Sequence, residues 1–203
     1  MIQAISSDSE SMHSHTSLNR TAFTATLHCL TGCAIGEVLG MIIGTALGWG
    51  NAATIALSVT LAFLFGYSLT MVPLLRVGLA LAVALPLAFA SDSLSIAAME
   101  IVDNGIMLAV PGALDAGLSD ALFWGALVVS LVVAFAFAYP VNRYLIARGQ
   151  GHAVVHAYHG HDADGHAEAP SQGSTRAFVL IGLAAVAVTL VVTVGAAVLL
   201  EAS

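Results

Sequence analysis

The stretch HCLTGCAIGEVLGM, residues 28–41, places sulfur and carboxylate side chains in an otherwise apolar segment. On a helix, residues four apart lie on one face, about one turn from each other. Thiolate and thioether sulfur are soft ligands that select Cu(I). The spacing therefore predicts a metal site at His28, Cys29 and Cys33, with a second stop deeper in the helix at Glu37 and Met41.

A second polar stripe occurs in SDSLSIAAMEIVDNGIMLAVPG, residues 91–112. Its members recur at i, i+3, i+4 and i+7: Glu100, Asp103, Asn104 and Met107. We hypothesise that this helix packs against the cysteine-bearing helix, so that sulfur and carboxylate groups converge near mid-membrane. The predicted metal ligands are therefore His28, Cys29, Cys33, Glu37, Met41, Glu100, Asp103 and Met107.

Other interpretations of these residues stay open. Free cysteine is often a small buried hydrophobe, so Cys29 and Cys33 also fit simple packing. An ionised acid inside a membrane costs at least about 2.5 kcal/mol. The acids are therefore protonated and hydrogen-bonded, carry a transported proton, or face a metal cation.

A histidine-rich segment gives the metal hypothesis a third element. Five of the eight histidines fall between residues 149 and 175, among acidic side chains. Such tracts bind metal ions weakly and exchangeably, although the spacing fits no closed zinc motif. The predicted collecting residues are His152, His156, His159 and His161, and a solvated linker without function is the alternative.

The composition is that of a membrane protein. Of 203 residues, 59% are hydrophobic and 8% are charged, whereas roughly a quarter of a soluble domain is charged. A net charge of −7 argues against nucleic acid as a partner. Without the period-two alternation of barrel strands, the sequence predicts an all-α, multi-pass transmembrane bundle of five to six hydrophobic helices in a lipid bilayer. Its apolar runs are 22–49, 52–72, 74–90, 93–110, 120–146 and 176–200.

These runs divide the chain into four regions. We predict a disordered polar tail at 1–20, a transmembrane bundle at 21–148, a His-rich polar linker at 149–175 and a C-terminal transmembrane helix at 176–203.

The arginines constrain how many runs cross the membrane, because short Arg-bearing loops tend to stay in the cytoplasm. If Arg20 is cytoplasmic, the arginines from 143 to 176 join it only when one further run fails to cross. We predict that 93–110 is this run, a re-entrant or half-buried helix capped at its start by Ser91 or Asp92. Six full crossings are the alternative.

Glycine recurs every four residues in the first apolar run. Small residues at this spacing let helix backbones approach closely in lipid. The run therefore predicts a glycine zipper that also offers a homo-oligomer contact through Gly32, Gly36, Gly40, Gly44 and Gly48.

The combination of HCLTGCAIGEVLGM, SDSLSIAAMEIVDNGIML and YPVNRYLIARGQGHAVVH resembles a prokaryotic membrane family, domain of unknown function 4396, over about residues 20–160. The resemblance implies a multi-pass protein of a prokaryotic plasma membrane. Members are associated with copper-handling proteins, which implies copper as the bound ion and such proteins as partners.

The leading interpretation is a membrane protein that binds a soft metal ion, copper, and transports it or hands it over. No ATP-binding loop is present, so transport would be passive or gradient-coupled. The alternative is a non-transporting assembly factor that docks through helix packing. We expect no enzymatic activity, because the sequence offers no nucleophile with a base and an orienting group.

Overall fold

The computed structural model describes the backbone of residues 2–76, 78–148 and 172–202, and the side chains from residue 18 to 148 except 77, and from 176 to 202. The described chain is helical and contains no strand. Its helices are α1 (Ile2–Leu47), α2 (Asn51–Arg76), α3 (Leu81–Ala109), α4 (Ala121–Ala147) and α5 (Gln172–Glu201).

Each of the five helices contains a segment long and apolar enough to cross a membrane. These segments are Leu18–Leu47, Asn51–Arg76, Leu81–Ala109, Ala121–Ala147 and Arg176–Glu201. Each has at least 26 residues, and about 20 suffice for a hydrocarbon layer of roughly 30 Å. The protein is therefore a multi-pass membrane protein, and its described residues form five helices of spanning length.

The predicted re-entrant helix at 93–110 is wrong, because α3 runs without a break from Leu81 to Ala109. Ser91 and Asp92 therefore do not cap a helix. They lie in the middle of α3 and are buried. The Ser91 hydroxyl donates to the Ala88 carbonyl and to Asp92 Oδ1, so both residues form hydrogen bonds inside the bundle and the helix need not stop there.

The break occurs earlier in the chain, between α2 and α3. Gly78 has a φ of +91°, a left-handed conformation that glycine adopts without steric penalty. The amide of Leu79 donates to the Leu74 carbonyl, which closes the end of α2. The run predicted at 74–90 is thus divided between the end of α2 and the start of α3.

Helix α1 begins at Ile2, so the backbone of residues 2–20 continues the membrane helix where a disordered tail was expected. At its other end Gly48 has a φ of +66° and ends α1. Asp120 caps α4 by accepting a hydrogen bond from the Leu122 amide at 2.8 Å.

The glycines of α1 set how closely α1 and α2 pack. A Cβ atom placed on Gly36 would lie 2.2 Å from the Ala62 backbone nitrogen, and one on Gly32 would lie 2.7 Å from Gly66. Gly40 and Gly44 meet Ser58 and Thr54 equally closely. The two helices are antiparallel, since rising numbers in α1 face falling numbers in α2.

All five arginines lie at one end of the bundle. Arg20 and Arg176 lie near the starts of the α1 and α5 spans, while Arg76, Arg143 and Arg148 lie at or just after the ends of α2 and α4. A hydrogen bond of 2.8 Å from Arg143 to Asn19 joins α4 to α1 at this end. We call it the arginine end.

The opposite end carries the exposed acids whose side chains the structure describes. Asn51 donates to Asp115, and the Ala52 amide donates to Glu201. These bonds join α2, the α3–α4 loop and α5. With five crossings all arginines share one side of the membrane, so no additional non-crossing segment is needed to keep them together.

Candidate functional site

Four carboxyl side chains of the described residues are buried inside the bundle. Glu37, Asp92, Glu100 and Asp103 are each at most 2% exposed. All five arginines are exposed and lie at the arginine end. The charge of the acids is therefore not offset by arginine, and their surroundings decide what they can do.

The level nearest the arginine end joins Cys29 of α1 to Asp92 of α3. The Cys29 thiol donates to Asp92 Oδ1 at 3.8 Å, and Ser91 donates to the same oxygen at 2.8 Å. His28 lies close enough to Asp92 to interact with it electrostatically. Two of the predicted metal ligands thus meet a carboxyl group that the sequence predicts as a helix cap.

A polar cluster lies beside this level, toward the arginine end. The Asn142 amide of α4 donates to Thr26 and to Ser95, each at 2.9 Å, and all three residues are buried. Tyr67 of α2 shares a hydrogen bond of 2.9 Å with Ser93. Side chains from α1, α2, α3 and α4 therefore enclose the first level.

The next level contains sulfur on both helices. Cys33 Sγ lies 4.0 Å from Met99 Sδ, and these two side chains are 3% and 0% exposed. The Cys33 thiol also lies near the Glu100 carboxyl group. A soft ion placed between the two sulfurs would have a carboxyl group as its nearest polar neighbour.

Below the sulfurs lie three acids. Glu37 interacts electrostatically with Asp103 and with Glu100. Ser130 of α4 donates to Asp103, and Asn104 donates to Glu100 at 3.3 Å. The acids of α1 and α3 thus converge, together with one hydroxyl of α4.

This acid level holds more acceptor oxygens than donors. Both carboxyl oxygens of Glu37, one oxygen of Asp103 and the amide oxygen of Asn104 are buried without a hydrogen-bond partner among the described residues. A buried polar atom left unpaired costs about 1–3 kcal/mol. Four acceptors at one level have the chemistry of a place that receives a cation or protons.

The last level is apolar apart from sulfur. Met41 of α1 and Met107 of α3 are buried in one cluster with Phe123 and Leu127 of α4. Met107 also lines a cavity of about 270 Å³ at the end opposite the arginine end, together with Asp115 and Glu201. The pairings from Cys29 to Met107 therefore follow one path along parallel α1 and α3, which we call the sulfur–acid column.

The predicted ligands do not form a preassembled metal centre. Among the side chains that the structure describes, no three from His, Cys, Asp and Glu are grouped so as to hold a metal ion. The residues are instead distributed over successive levels of the column. The structure does bring the cysteine and acid stripes together, as the packing hypothesis requires.

Three contributors lie outside the predicted ligand set. The sequence predicts Asp92 only as a helix cap, Met99 is not among the predicted ligands, and no pattern in the sequence indicates Ser130. Met99 lies four residues before Asp103, a helical spacing that could have included it. Ser130 carries no such signal, because only the packing of α4 brings its hydroxyl to Asp103.

Two further predictions concern the histidine-rich segment and the glycine contact between copies of the protein. The histidines at 152, 156, 159 and 161 lie outside the residues that the structure describes. The glycine face of α1 is occupied by α2 of the same chain from Gly32 to Gly44. It therefore leaves no room there for a second copy of the protein, and Gly48 belongs to the turn after α1.

Comparison with known proteins gives one match. The model of a family described as Domain of unknown function (DUF4396) matches residues 18–151. The chain belongs to this family. No curated protein and no solved structure matches it. The matched region of this DUF4396 protein contains every level of the sulfur–acid column, whereas α5 lies outside it.

Proposed function

We propose that this membrane protein binds a soft metal ion, copper(I), inside the bundle and passes it along the sulfur–acid column. The observation that carries the proposal is the buried sulfur pair of Cys33 and Met99, 4.0 Å apart, with carboxyl groups directly below it. Thiolate and thioether together select Cu(I) over harder ions.

The sulfur separation suits a two-coordinate ion. A metal–sulfur bond is about 2.3 Å long, so two sulfurs on opposite sides of one ion lie roughly 4.6 Å apart. The observed 4.0 Å reaches this value after small side-chain adjustments. Copper(I) accepts two ligands, so a site of this kind needs no group of three.

The acids supply what the sulfurs lack. Moving a cation out of water into a low-dielectric interior costs several kcal/mol unless nearby charges compensate. Glu37, Glu100 and Asp103 lie together without an arginine among them. Their carboxylates offset the charge of a cation that leaves the sulfur pair, and Met41 and Met107 provide the next soft contact.

Cys29 and His28 are assigned to the opposite side of the sulfur pair. Cys29 lies one helical turn before Cys33, and its thiol contacts Asp92 rather than a second sulfur. This level is a second binding position, which the ion occupies before or after the Cys33–Met99 pair. The His-rich segment at 152–161 is proposed to collect metal ions, with copper-handling proteins as their source or destination.

The geometry favours this function over an assembly role. The assembly alternative depended on the glycine face of α1 as a docking surface, and that face packs against α2. The unpaired oxygens of the acid level have no use in helix docking, because they lower stability without adding a contact.

Anaerobic Cu(I) titration of the purified protein against a competing chelator tests the proposal. We expect one tightly bound ion per chain. Cys33→Ser or Met99→Leu should weaken it by more than about 100-fold, since even outer-sphere changes at metal sites cost 10–100-fold. Met71→Leu, which alters a methionine outside the column, is the matched control.

A second control separates the bundle from the histidine segment. Replacing His152, His156, His159, His161 and His166 by Gln should leave the tight site intact and remove only weaker binding. If the tight ion disappears with the histidines and survives in Cys33→Ser, the column is not the copper site.

A further inference from the structure

The seam between α1 and α4 carries two cavities on the outer surface of the bundle. The first, at the arginine end, has a volume of about 650 Å³ and is lined by Asn19, Tyr139, Pro140, Arg143, Tyr144 and Ala147. The second, of about 520 Å³, lies farther along the same two helices and is mainly apolar. The seam is thus polar and cationic at the arginine end and apolar beyond it.

The polar cavity has the chemistry of an anion site. The Arg143 guanidinium lines it, and its hydrogen bond to Asn19 uses one of five N–H donors. Arg148 lies over the Tyr144 ring, 4.4 Å from its centroid, which holds a second positive charge beside the cavity. Tyrosine at this depth is typical of the membrane interface.

The surrounding charge strengthens this assignment. All arginines lie at this end of the bundle, whereas the exposed acids with described side chains, Asp115, Asp120 and Glu201, lie at or near the other end. Among the residues whose side chains the structure describes, an anion at the seam therefore has arginines nearby and no carboxylate.

The apolar cavity begins at the depth of an acyl chain. Leu30 and Thr31 line its upper part, and Ala34, Ile35, Val38, Leu39 and Leu131 continue it. At 1.5 Å per residue, Leu30 lies about 17 Å along α1 from Asn19. Phe23 and Phe135 stack edge to face between the two cavities, with centroids 5.3 Å apart, and join them by an apolar surface.

We propose that the α1–α4 seam binds one anionic phospholipid, with its phosphate at Arg143 and Arg148 and an acyl chain in the groove at Ala34 and Leu131. The two cavities occur in the order and at the separation that a headgroup and its chain require. Basic pockets at the cytoplasmic ends of membrane helices bind such headgroups. The proposal is independent of copper binding, since no residue of the sulfur–acid column lines either cavity.

Native mass spectrometry of the delipidated full chain tests the proposal, with phosphatidylglycerol and phosphatidylcholine of identical acyl chains as probes. We expect tighter binding of phosphatidylglycerol. Each of Arg143→Gln and Arg148→Gln should weaken its binding about fivefold and leave phosphatidylcholine nearly unchanged. Arg76→Gln, at the same end but outside the seam, is the matched control.

The groove is tested separately. Ala34→Trp fills it and should release both lipids, whereas Val191→Trp, on the exposed face of α5, should not. Equal binding of the two lipids by the unaltered protein would overturn the proposal. So would a loss in Arg76→Gln as large as in Arg143→Gln, or displacement of the lipid by millimolar inorganic phosphate, which would indicate a free-phosphate site.

Discussion

Helix α1 presents two faces that share a four-residue spacing and differ in every other respect. Toward α2 it offers glycines, and Cβ atoms on Gly32 and Gly36 would lie 2.7 and 2.2 Å from the partner backbone. Toward α3 it offers Cys33 and Glu37, whose partners are Met99 and the buried acids. One face has no spare space, and the other has unused hydrogen-bonding capacity.

The comparison distinguishes a face that is explained by helix packing from a face that packing does not explain. Close backbone approach stabilises helix pairs in lipid through van der Waals contact, so packing alone accounts for the glycine face. Unpaired buried acceptors lower stability, so the acid face has no structural justification. The column is therefore where function is expected, although both faces show the same periodicity in the sequence.

The largest expected effect is a loss of stability at the glycine face. In Gly36→Ala, the new Cβ would meet the Ala62 backbone, and overpacking of this kind costs up to about 3 kcal/mol. That loss corresponds to a fall of roughly 6–12 °C in the melting temperature. Thermal unfolding in detergent measures it.

The control is Gly105→Ala, because nothing lies within 4 Å of a Cβ at Gly105. There the helix propensity of alanine should raise stability by up to about 1 kcal/mol. Equal melting temperatures for the two variants would remove the close packing from the comparison.

The acid face should respond with the opposite sign. Glu37→Met removes a buried carboxyl group that insertion scales price at about 2.5 kcal/mol or more, so the melting temperature should rise by roughly 5–10 °C. Met41→Leu, one turn away, should change stability by less than about 1.5 kcal/mol. Destabilisation by Glu37→Met would mean that the carboxyl group supports the fold.

A smaller effect on stability is expected where an acid of the column already accepts a hydrogen bond. Ser130→Ala removes the donor to Asp103 and should cost about 2 kcal/mol, the penalty of leaving a buried acceptor unpaired. Ser58→Ala, at the glycine face, loses only a long bond of 3.4 Å to the Glu37 carbonyl. Chemical denaturation should therefore rank Ser130→Ala clearly below Ser58→Ala in stability; the reverse order would contradict the assignment.

The smallest effect is expected away from both faces. Trp124→Phe removes the indole hydrogen bond of 2.7 Å to the Leu118 carbonyl, and the side chain is 44% exposed. Loss of such a bond is worth at most about 1 kcal/mol. Trp49→Phe is the control for the change of an equally exposed tryptophan, and a loss above 2 kcal/mol at Trp124 would show that the α3–α4 loop contributes more than the account allows.

Hydropathy predicted the helix class and the approximate spans of α1, α2, α4 and α5, because a run of apolar residues needs no knowledge of its partners. The boundary at Ser91 and Asp92 was wrong for the converse reason. Polar residues usually mark a connection, and only the packing of the bundle, in which Cys29 contacts Asp92, shows that these two are buried.

For the site, the sequence predicted which residues share a face of one helix, but not which residues meet between helices. Spacing within one helix indicated Cys33 with Glu37 and Glu100 with Asp103, since residues four or three apart must share a face. The pairing of Cys33 with Met99 depends on the relative register of α1 and α3, and the contact of Ser130 depends on α4. The periodicity of a single helix gives neither the register of α1 and α3 nor the position of α4.

Copper(I) uptake into proteoliposomes containing the purified protein tests the central claim most directly. The account predicts uptake by the unaltered protein, its loss in Cys33→Ser and in Glu37→Gln, and its retention in Gly105→Ala. Uptake that persists in both column variants, or that is absent from a correctly folded unaltered protein, would contradict passage through the sulfur–acid column.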